Sequence, residues 1–150
     1  MASKRRSETK LTRKEIEAIF KRREKAQNDH DVEALMIDYA DDCVVDSPTG
    51  GTHQGRAAIA KVFKAVFDGF PDLKVTTDKL IIDGDSVSHV IGLEGTDLGG
   101  FLGVPATGKS FRVPAVFLYE FRKGLIVRER RIYDFTGLLL QIGVMKAKPV

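Results

Sequence analysis

The sequence predicts an α+β fold in which helices pack on one face of an antiparallel sheet. Three observations support this prediction. Helical periodicity dominates the first 68 residues, four long strand patterns follow between residues 73 and 134, and turn signals separate these strands. A short apolar helix is predicted after Asp134. Because the helices come first and the strands follow, the pattern is typical of an α+β meander rather than of alternating βαβ units.

Two amphipathic helices are predicted at the start of the folded part. Thr12 followed by Glu15 forms a capping box, after which apolar residues recur at helical spacing. Asp31 is suited to cap a second, short helix. A short strand at 43–45 and a turn-rich segment at 47–51 follow. The apolar positions of the two helices are Ile16, Ile19, Phe20 and Ala26, and then Val32, Leu35 and Met36.

The segment from Gly55 to Asp68 has the clearest helical pattern in the chain. Gly69 and Pro71 end this third helix. Its apolar face consists of Ile59, Val62, Phe63, Val66 and Phe67. A face this broad is expected to pack on a sheet.

The predicted long strands span residues 73–82, 86–96, 110–121 and 125–134. The segments D-G-D at 83–85 and R-K-G at 122–124 are typical of tight hairpins, and residues 97–109 form a glycine-rich loop. The strand at 110–121 carries apolar residues on both faces, so both faces need cover. A homodimer through the sheet is therefore predicted, with a strongly curved sheet as the alternative.

Length and composition indicate one soluble domain over residues 11–150, preceded by a disordered basic tail at 1–10. No apolar run reaches the length of a membrane span, and no secretory signal is recognisable, so a cytoplasmic location is expected.

The positive charge is concentrated near the start of the chain. Residues 1–30 contain ten Lys or Arg against five Asp or Glu. Aromatic residues are not interleaved with these basic residues, so nucleic acid is not an expected partner.

Metal and cofactor motifs are absent from the sequence. No His or Cys ligand spacing, P-loop or dinucleotide-binding glycine pattern occurs. Cys43 is expected to be a buried thiol without a catalytic role. Neither a metal nor a cofactor is therefore predicted.

Asp134 is the strongest candidate for chemistry. Strand alternation predicts that Ile126, Arg128, Arg130, Ile132 and Asp134 share one face of the last strand, with Val127, Glu129, Arg131 and Tyr133 on the other. The apolar residues around Asp134 would desolvate its carboxyl group and raise its pKa, which suits acid or base chemistry. The structural alternatives are a helix N-cap or an ion pair with Arg130.

Four segments carry a family resemblance: F-P-D at 70–72, G-T-D at 95–97, G-F-L-G-V-P-A-T-G at 100–108 and D-F-T-G-L-L-L-Q-I-G at 134–143. Together they resemble the SnoaL-like polyketide cyclase (ester cyclase) family of the nuclear-transport-factor-2-like superfamily, from about Thr12 to Val144. The resemblance implies a cone in which helices and a strongly curved sheet surround a small-molecule pocket, with dimerisation through the sheet. It also implies a cofactor-free, aldol-type ring closure or an isomerisation of an apolar oxygenated substrate such as a polyketide, with Asp134 as general acid and base.

This sequence departs from the family pattern at two positions. Asp97 stands where the family usually has His, and Arg130 stands where a large aromatic residue is usual. The predicted catalytic residues are Asp134 as acid and base, with Asp97 or Arg130 assisting. In one alternative, Asp97, Arg130 and Asp134 form a carboxylate–arginine–carboxylate set that resembles the arrangement in epoxide hydrolases of the same superfamily. Alternatively, Asp97 and Asp134 share a proton as in ketosteroid isomerases.

Tyr39, His89, Phe117 and Ile132 are predicted to line the substrate pocket. For Tyr39 and His89 the competing interpretation is a residue of the hydrophobic core. Two classes of function remain open. One is an enzyme acting on an apolar oxygenated molecule, and the other is a non-catalytic binding or dimerisation module of the same fold.

Overall fold

The computed structural model describes residues 10–148. The predicted tail at 1–10 lies outside these residues apart from Lys10. None of the helices in the described range is both long enough and apolar enough to cross a membrane. The elements are α1 (Arg13–Asn28), α2 (Val32–Met36), β1 (Tyr39–Ser47), β2 (Gly51–Gln54), α3 (Arg56–Gly69), β3 (Lys74–Asp83), β4 (Ser86–Thr96), β5 (Ser110–Arg122), β6 (Leu125–Tyr133) and α4 (Phe135–Gln141).

The first two helices begin at the predicted caps. The Thr12 hydroxyl accepts a hydrogen bond from the Glu15 amide at 3.2 Å, and the Glu15 carboxylate accepts one from the Thr12 amide at 2.7 Å. Asp31 accepts one from the Ala34 amide at 3.0 Å and caps α2. These bonds satisfy amides that have no partner within the helix.

Six strands form one sheet in the order β2-β1-β6-β5-β4-β3. All neighbouring pairs are antiparallel except β1 and β6, which run parallel. The sheet is curved and does not close into a barrel. The predicted α+β class with a curved, mainly antiparallel sheet is confirmed, and α4 is the short helix predicted after Asp134.

A bulge in β6 changes which side chains face inward. Glu120 of β5 pairs with Arg128, but the next residue, Phe121, pairs with Ile126, so Val127 is an extra residue. Strict alternation is therefore wrong for this strand. Ile126 is buried, and so are Glu129 and Arg131 after the bulge, while Arg128, Arg130 and Ile132 are exposed on the outer face.

The core lies between the helices and the inner face of the sheet. Phe20 of α1 packs edge-on against Tyr119 and Phe121 of β5, with ring centroids 4.9 and 6.1 Å apart. From α3, Ile59, Phe63 and Phe67 are buried against the sheet. These are positions of the predicted apolar faces, so periodicity located the helix side of the core correctly.

The glycine-rich loop at 97–109 packs closely on the end of α3. The amides of Leu98 and Gly99 donate to the Gly69 carbonyl at 3.3 and 3.0 Å. A Cβ atom at Gly99 would lie 1.9 Å from the carbonyl oxygen of Asp68. Only a residue without a side chain fits here, so this contact fixes the start of the loop against α3.

Replacing Gly99 with Ala is expected to lower the free energy of unfolding by about 1–3 kcal/mol, because the backbone must move away from Asp68. Gly92→Ala is the matched control, since nothing lies within 4 Å of a Cβ atom at that strand position. Urea denaturation of both variants measures the difference. Equal stabilities would contradict the close contact at Gly99.

Candidate active site

An apolar cavity of about 80 Å³ lies between α3 and the inner face of the sheet. Gln27 and Arg131 are two polar residues among the aromatic rings of its wall, and Ser47, Thr49 and Tyr133 add hydroxyl groups. The rings belong to Phe63, Phe67, Phe70, Phe101, Phe111 and Phe117. A cavity with apolar walls and a few polar groups is suited to hold a small organic molecule.

Arg131 brings a buried positive charge to this cavity. Its guanidinium carbon lies 4.6 Å from the ring centroid of Phe63 and 5.4 Å from that of Phe117. Its Nε donates to Glu129 Oε2 at 2.5 Å, whereas its Nη2 is buried without a hydrogen-bond partner. Burial opposes the charged form, but the Glu129 carboxylate outweighs it, so the pKa of Arg131 is raised and the group stays cationic.

Glu129 has both carboxylate oxygens engaged. Oε1 accepts from the Tyr39 hydroxyl at 2.6 Å, and Oε2 accepts from Arg131. Burial by itself would raise the pKa of Glu129, but the cations Arg131 and Arg23 lower it further than burial raises it, so its net shift is downward. Glu129 is therefore an ionised anchor rather than a free base.

Arg23 of α1 extends this buried network. Its side chain is 1% exposed, and it donates to Asp38 at 3.1 Å, to the Leu35 carbonyl at 3.2 Å and to the Tyr39 hydroxyl at 3.0 Å. Tyr39, predicted to contact substrate, is thus held between Arg23 and Glu129. Burial raises the pKa of Tyr39, so its hydroxyl remains protonated.

Asp134 is the N-cap of α4. Its Oδ1 accepts from the Gly137 amide at 2.8 Å, and the residue is exposed. The apolar surroundings expected from the sequence are not found, and the helix cap given as the structural alternative is present. Asp134 does not line the cavity, but Tyr133 before it and Leu138 one helical turn later do.

Asp97 is fully buried at the base of the 97–109 loop. Its Oδ2 accepts from the Thr107 amide and hydroxyl, both at 3.0 Å, while Oδ1 has no hydrogen-bond partner. The carboxylate thus ties the two ends of the loop together, away from the cavity wall.

The other predicted site residues divide between the two faces of the sheet. Phe117 lines the cavity. Arg130 and Ile132 lie on the outer face because of the bulge, and the Arg130 charge acts on Asp46 of β1. Arg130 and Ile132 are therefore not brought to the cavity with Phe117.

His89 is a core residue beneath α1. Its Nε2 lies 2.8 Å from the Thr77 hydroxyl, and its ring packs edge-on against Phe20 at 5.0 Å. Burial and the nearby Arg23 charge lower its pKa from 6.5 to about 4, against the smaller opposing effects of Glu24 and Glu129. The histidine is therefore neutral at pH 7.

Residues 17–142 match the family described as SnoaL-like polyketide cyclase. The matched segment runs from α1 to the end of α4 and so includes the cavity and all three predicted catalytic residues. The chain belongs to the SnoaL-like polyketide cyclase family. A search of curated proteins found no match.

Solved structures share the fold of this SnoaL-like protein. TsrD from Streptomyces laurentii has a TM-score of 0.80 at 23% identity, covering 90% of this chain and 99% of that chain. AclR from Streptomyces galilaeus, a proposed hydroxylase, has a TM-score of 0.79 at 23% identity, covering 92% and 87%. IdmH from Streptomyces antibioticus, a proposed polyketide cyclase, has a TM-score of 0.70 at 28% identity, covering 85% and 97%.

Metal ligands do not converge in the part of the chain that the structure describes. Within residues 10–148, no group of three or more His, Cys, Asp or Glu side chains is placed to hold a metal ion. The polar groups that reach the cavity are an amide, a guanidinium and hydroxyls, which are groups suited to bind organic oxygen atoms.

The buried polar and charged residues of the interior were not predicted from the sequence. Arg23 and Gln27 continue the helical stripe of Ile16 and Phe20, so their spacing was a usable signal that they face inward. No such signal marked Glu129 and Arg131, because the bulge at Val127 reverses the face on which they lie.

Because the pKa of His89 is lowered, the stability of the folded protein is expected to depend on pH. Between pH 6.5 and about 4 the unfolded chain binds a proton at His89 that the folded protein does not, so stability falls as the pH falls through this window. The expected loss is about 2–3 kcal/mol. Urea denaturation at several pH values should show a smaller loss in His89→Gln than in the original protein. Parallel pH profiles would contradict a buried, neutral His89.

Proposed function

We propose that this SnoaL-like protein binds a compact, apolar, oxygenated small molecule in the cavity and converts it without a cofactor, by aldol-type cyclisation or isomerisation. The observation that supports this function is the cavity itself, with its aromatic walls and its few buried polar groups. At about 80 Å³, it favours a ligand portion about the size of one ring over a drug-sized molecule, whose pockets are typically about 300–1,000 Å³.

Asp134 is the proposed acid and base, acting at the edge of the cavity beside Tyr133. Its carboxylate accepts a proton from a carbon next to a carbonyl group, and the electron pair moves onto the carbonyl oxygen as an enolate. The enolate carbon then attacks a second carbonyl, and the resulting alkoxide takes the proton back from Asp134. One carboxyl group serves both steps, so no second acid is required.

Asp97 fits a positioning role in this proposal, because its hydrogen bonds to Thr107 hold the loop that carries Phe101 into the cavity wall. An epoxide-hydrolase-like site receives no support from the geometry. Arg130 lies on the outer face and Asp97 is engaged with Thr107, so the two are not arranged around a shared substrate.

A non-catalytic binding protein is the second candidate function. Two observations favour it. The Asp134 carboxylate is exposed and already caps α4, and both oxygens of the buried Glu129 carboxylate are engaged. In this alternative, the cavity binds a ligand without transferring a proton.

Hydrogen exchange at the methyl group of acetophenone in D₂O, followed by NMR, distinguishes the two functions. Acetophenone offers one ring and one enolisable carbonyl group. The protein is expected to accelerate the exchange, and Asp134→Asn to lower the accelerated rate by about 10²–10⁴-fold, since Asn keeps the helix cap but removes the base.

Asp31→Asn is the matched control, because Asp31 caps α2 with the same type of hydrogen bond. Its exchange rate should equal that of the original protein. Binding of acetophenone without any acceleration would favour the non-catalytic alternative. Acceleration that survives in Asp134→Asn would assign the base to another residue.

We also propose that the protein forms a homodimer through the outer face of the sheet. Val90, Val116 and Ile132 lie side by side across β4, β5 and β6, and Ile132 is 48% exposed. An apolar row that crosses three central strands is self-complementary under a two-fold axis. Small-molecule binding in the cavity does not depend on this dimer.

Ile132→Lys is expected to weaken the dimer at least about tenfold, because it places a charge in the apolar contact. Size-exclusion chromatography with light scattering, over a dilution series, measures the shift toward monomer. Ile37→Lys is the control, since Ile37 is 57% exposed at the end of α2, away from the sheet face. A monomer at all concentrations of the original protein would contradict the proposal.

A further inference from the structure

We propose that the natural ligand of the cavity is an organic anion whose carboxylate or enolate oxygen accepts a hydrogen bond from Nη2 of Arg131. This inference rests on the proposed small-molecule function and specifies the chemical class of the ligand. It starts from a donor that the protein leaves without a partner.

Two buried polar atoms on the cavity wall have no hydrogen-bond partner in the described chain. They are Nη2 of Arg131 and Oε1 of Gln27. The two residues are 8% and 5% exposed, so neither atom is open to bulk solvent. A buried unpaired polar group costs about 1–3 kcal/mol, and more when it is charged. Of the two atoms, Nη2 of Arg131 is the donor, so it can bind an acceptor atom of a ligand.

The buried charges near Arg131 balance one another. Two buried cations, Arg23 and Arg131, face two buried carboxylates, Asp38 and Glu129. Arg22 adds a third cation at Asp38, but its side chain is 43% exposed and its charge is screened by water. The preference for an anion therefore rests on the unpaired N–H of Arg131 and not on a surplus of positive charge.

The acceptors inside the network bind other donors. Glu129 receives hydrogen bonds from Tyr39 and Arg131, and Tyr39 receives one from Arg23. None of these oxygens accepts a hydrogen bond from Arg131 Nη2. The network therefore supplies no acceptor for this N–H, and a ligand oxygen in the cavity can supply one.

The aromatic wall strengthens the preference for an anion. Phe63 and Phe117 lie close to the guanidinium group, and Arg131 is only 8% exposed, so bulk solvent has little access to it. In such surroundings a charge-assisted hydrogen bond is roughly twice as strong as one between neutral groups. The aromatic rings of the wall are suited to contact the apolar part of the ligand, while Arg131 binds its anionic oxygen.

Three probes that share one ring test the inference: benzoate, acetophenone and toluene. Their affinities are measured by NMR titration at pH 7. Benzoate is expected to bind at least about tenfold more tightly than acetophenone, which corresponds to about 1.4 kcal/mol. Toluene, which has no acceptor, is expected to bind most weakly.

Arg131→Met keeps an unbranched apolar side chain and removes the donor, so the preference for benzoate over acetophenone should disappear. Because this variant leaves Glu129 without its partner, the double variant Glu129→Gln with Arg131→Met provides a second test in which both charges are removed. Arg130→Met is the matched control. It removes the neighbouring exposed guanidinium on the outer face and should leave the preference unchanged.

Each outcome decides the inference. Loss of the preference in the Arg131 variants, but not in Arg130→Met, supports it. Equal binding of benzoate and acetophenone to the original protein overturns the anion and leaves the small-molecule function intact, as does a preference that persists without Arg131. Failure of all three probes to bind overturns both the anion and the proposed function.

Discussion

The buried carboxylate of Glu129 holds the interior of this protein together. It receives hydrogen bonds from Tyr39 on β1 and Arg131 on β6, and it lies 4.0 Å from Arg23 on α1. A carboxylate without these partners would be strongly unfavourable at this depth, and so would either arginine without it. The first helix, the first strand and the last strand are therefore coupled by charge, in addition to the apolar contacts that hold the rest of the core.

The hydrogen bond from Arg131 to Glu129 also determines where the positive charge of Arg131 lies on the cavity wall. Since Glu129 holds the Nε side of Arg131, and two phenylalanine rings lie close to the guanidinium group, Arg131 has little freedom to move. Its Nη2 is then a fixed donor on the cavity wall rather than the end of a mobile side chain. A donor fixed before binding loses little conformational entropy when a ligand arrives, and this favours affinity and orientation.

Sequence patterns predicted the fold well because its elements follow local rules. The caps at Thr12 and Asp31 bind amides only three residues further along the chain. The apolar stripe of α3 likewise depends only on the spacing of residues within that helix. The interior of the site depends instead on strand register. One extra residue at Val127 moves Glu129 and Arg131 inward and Arg130 and Ile132 outward, and alternation alone gives no sign of it. The resemblance to SnoaL-like cyclases directed attention to Asp134, but the position of its carboxylate depends on the start of α4, where it serves as the cap.

In the proposed acid–base reaction, Asp134 and Arg131 would have different roles. Asp134 is exposed, so its carboxylate can exchange protons with solvent, whereas Arg131 is buried where a negative charge is otherwise costly. Enolisation needs both properties, since a proton must leave carbon and negative charge must collect on oxygen. Asp134 does not line the cavity, so the proposed reaction requires a substrate that extends from Arg131 past Tyr133. Such a substrate would present its oxygen to Arg131 and its acidic carbon toward Asp134, and the cavity would then set the orientation in which the proton is removed.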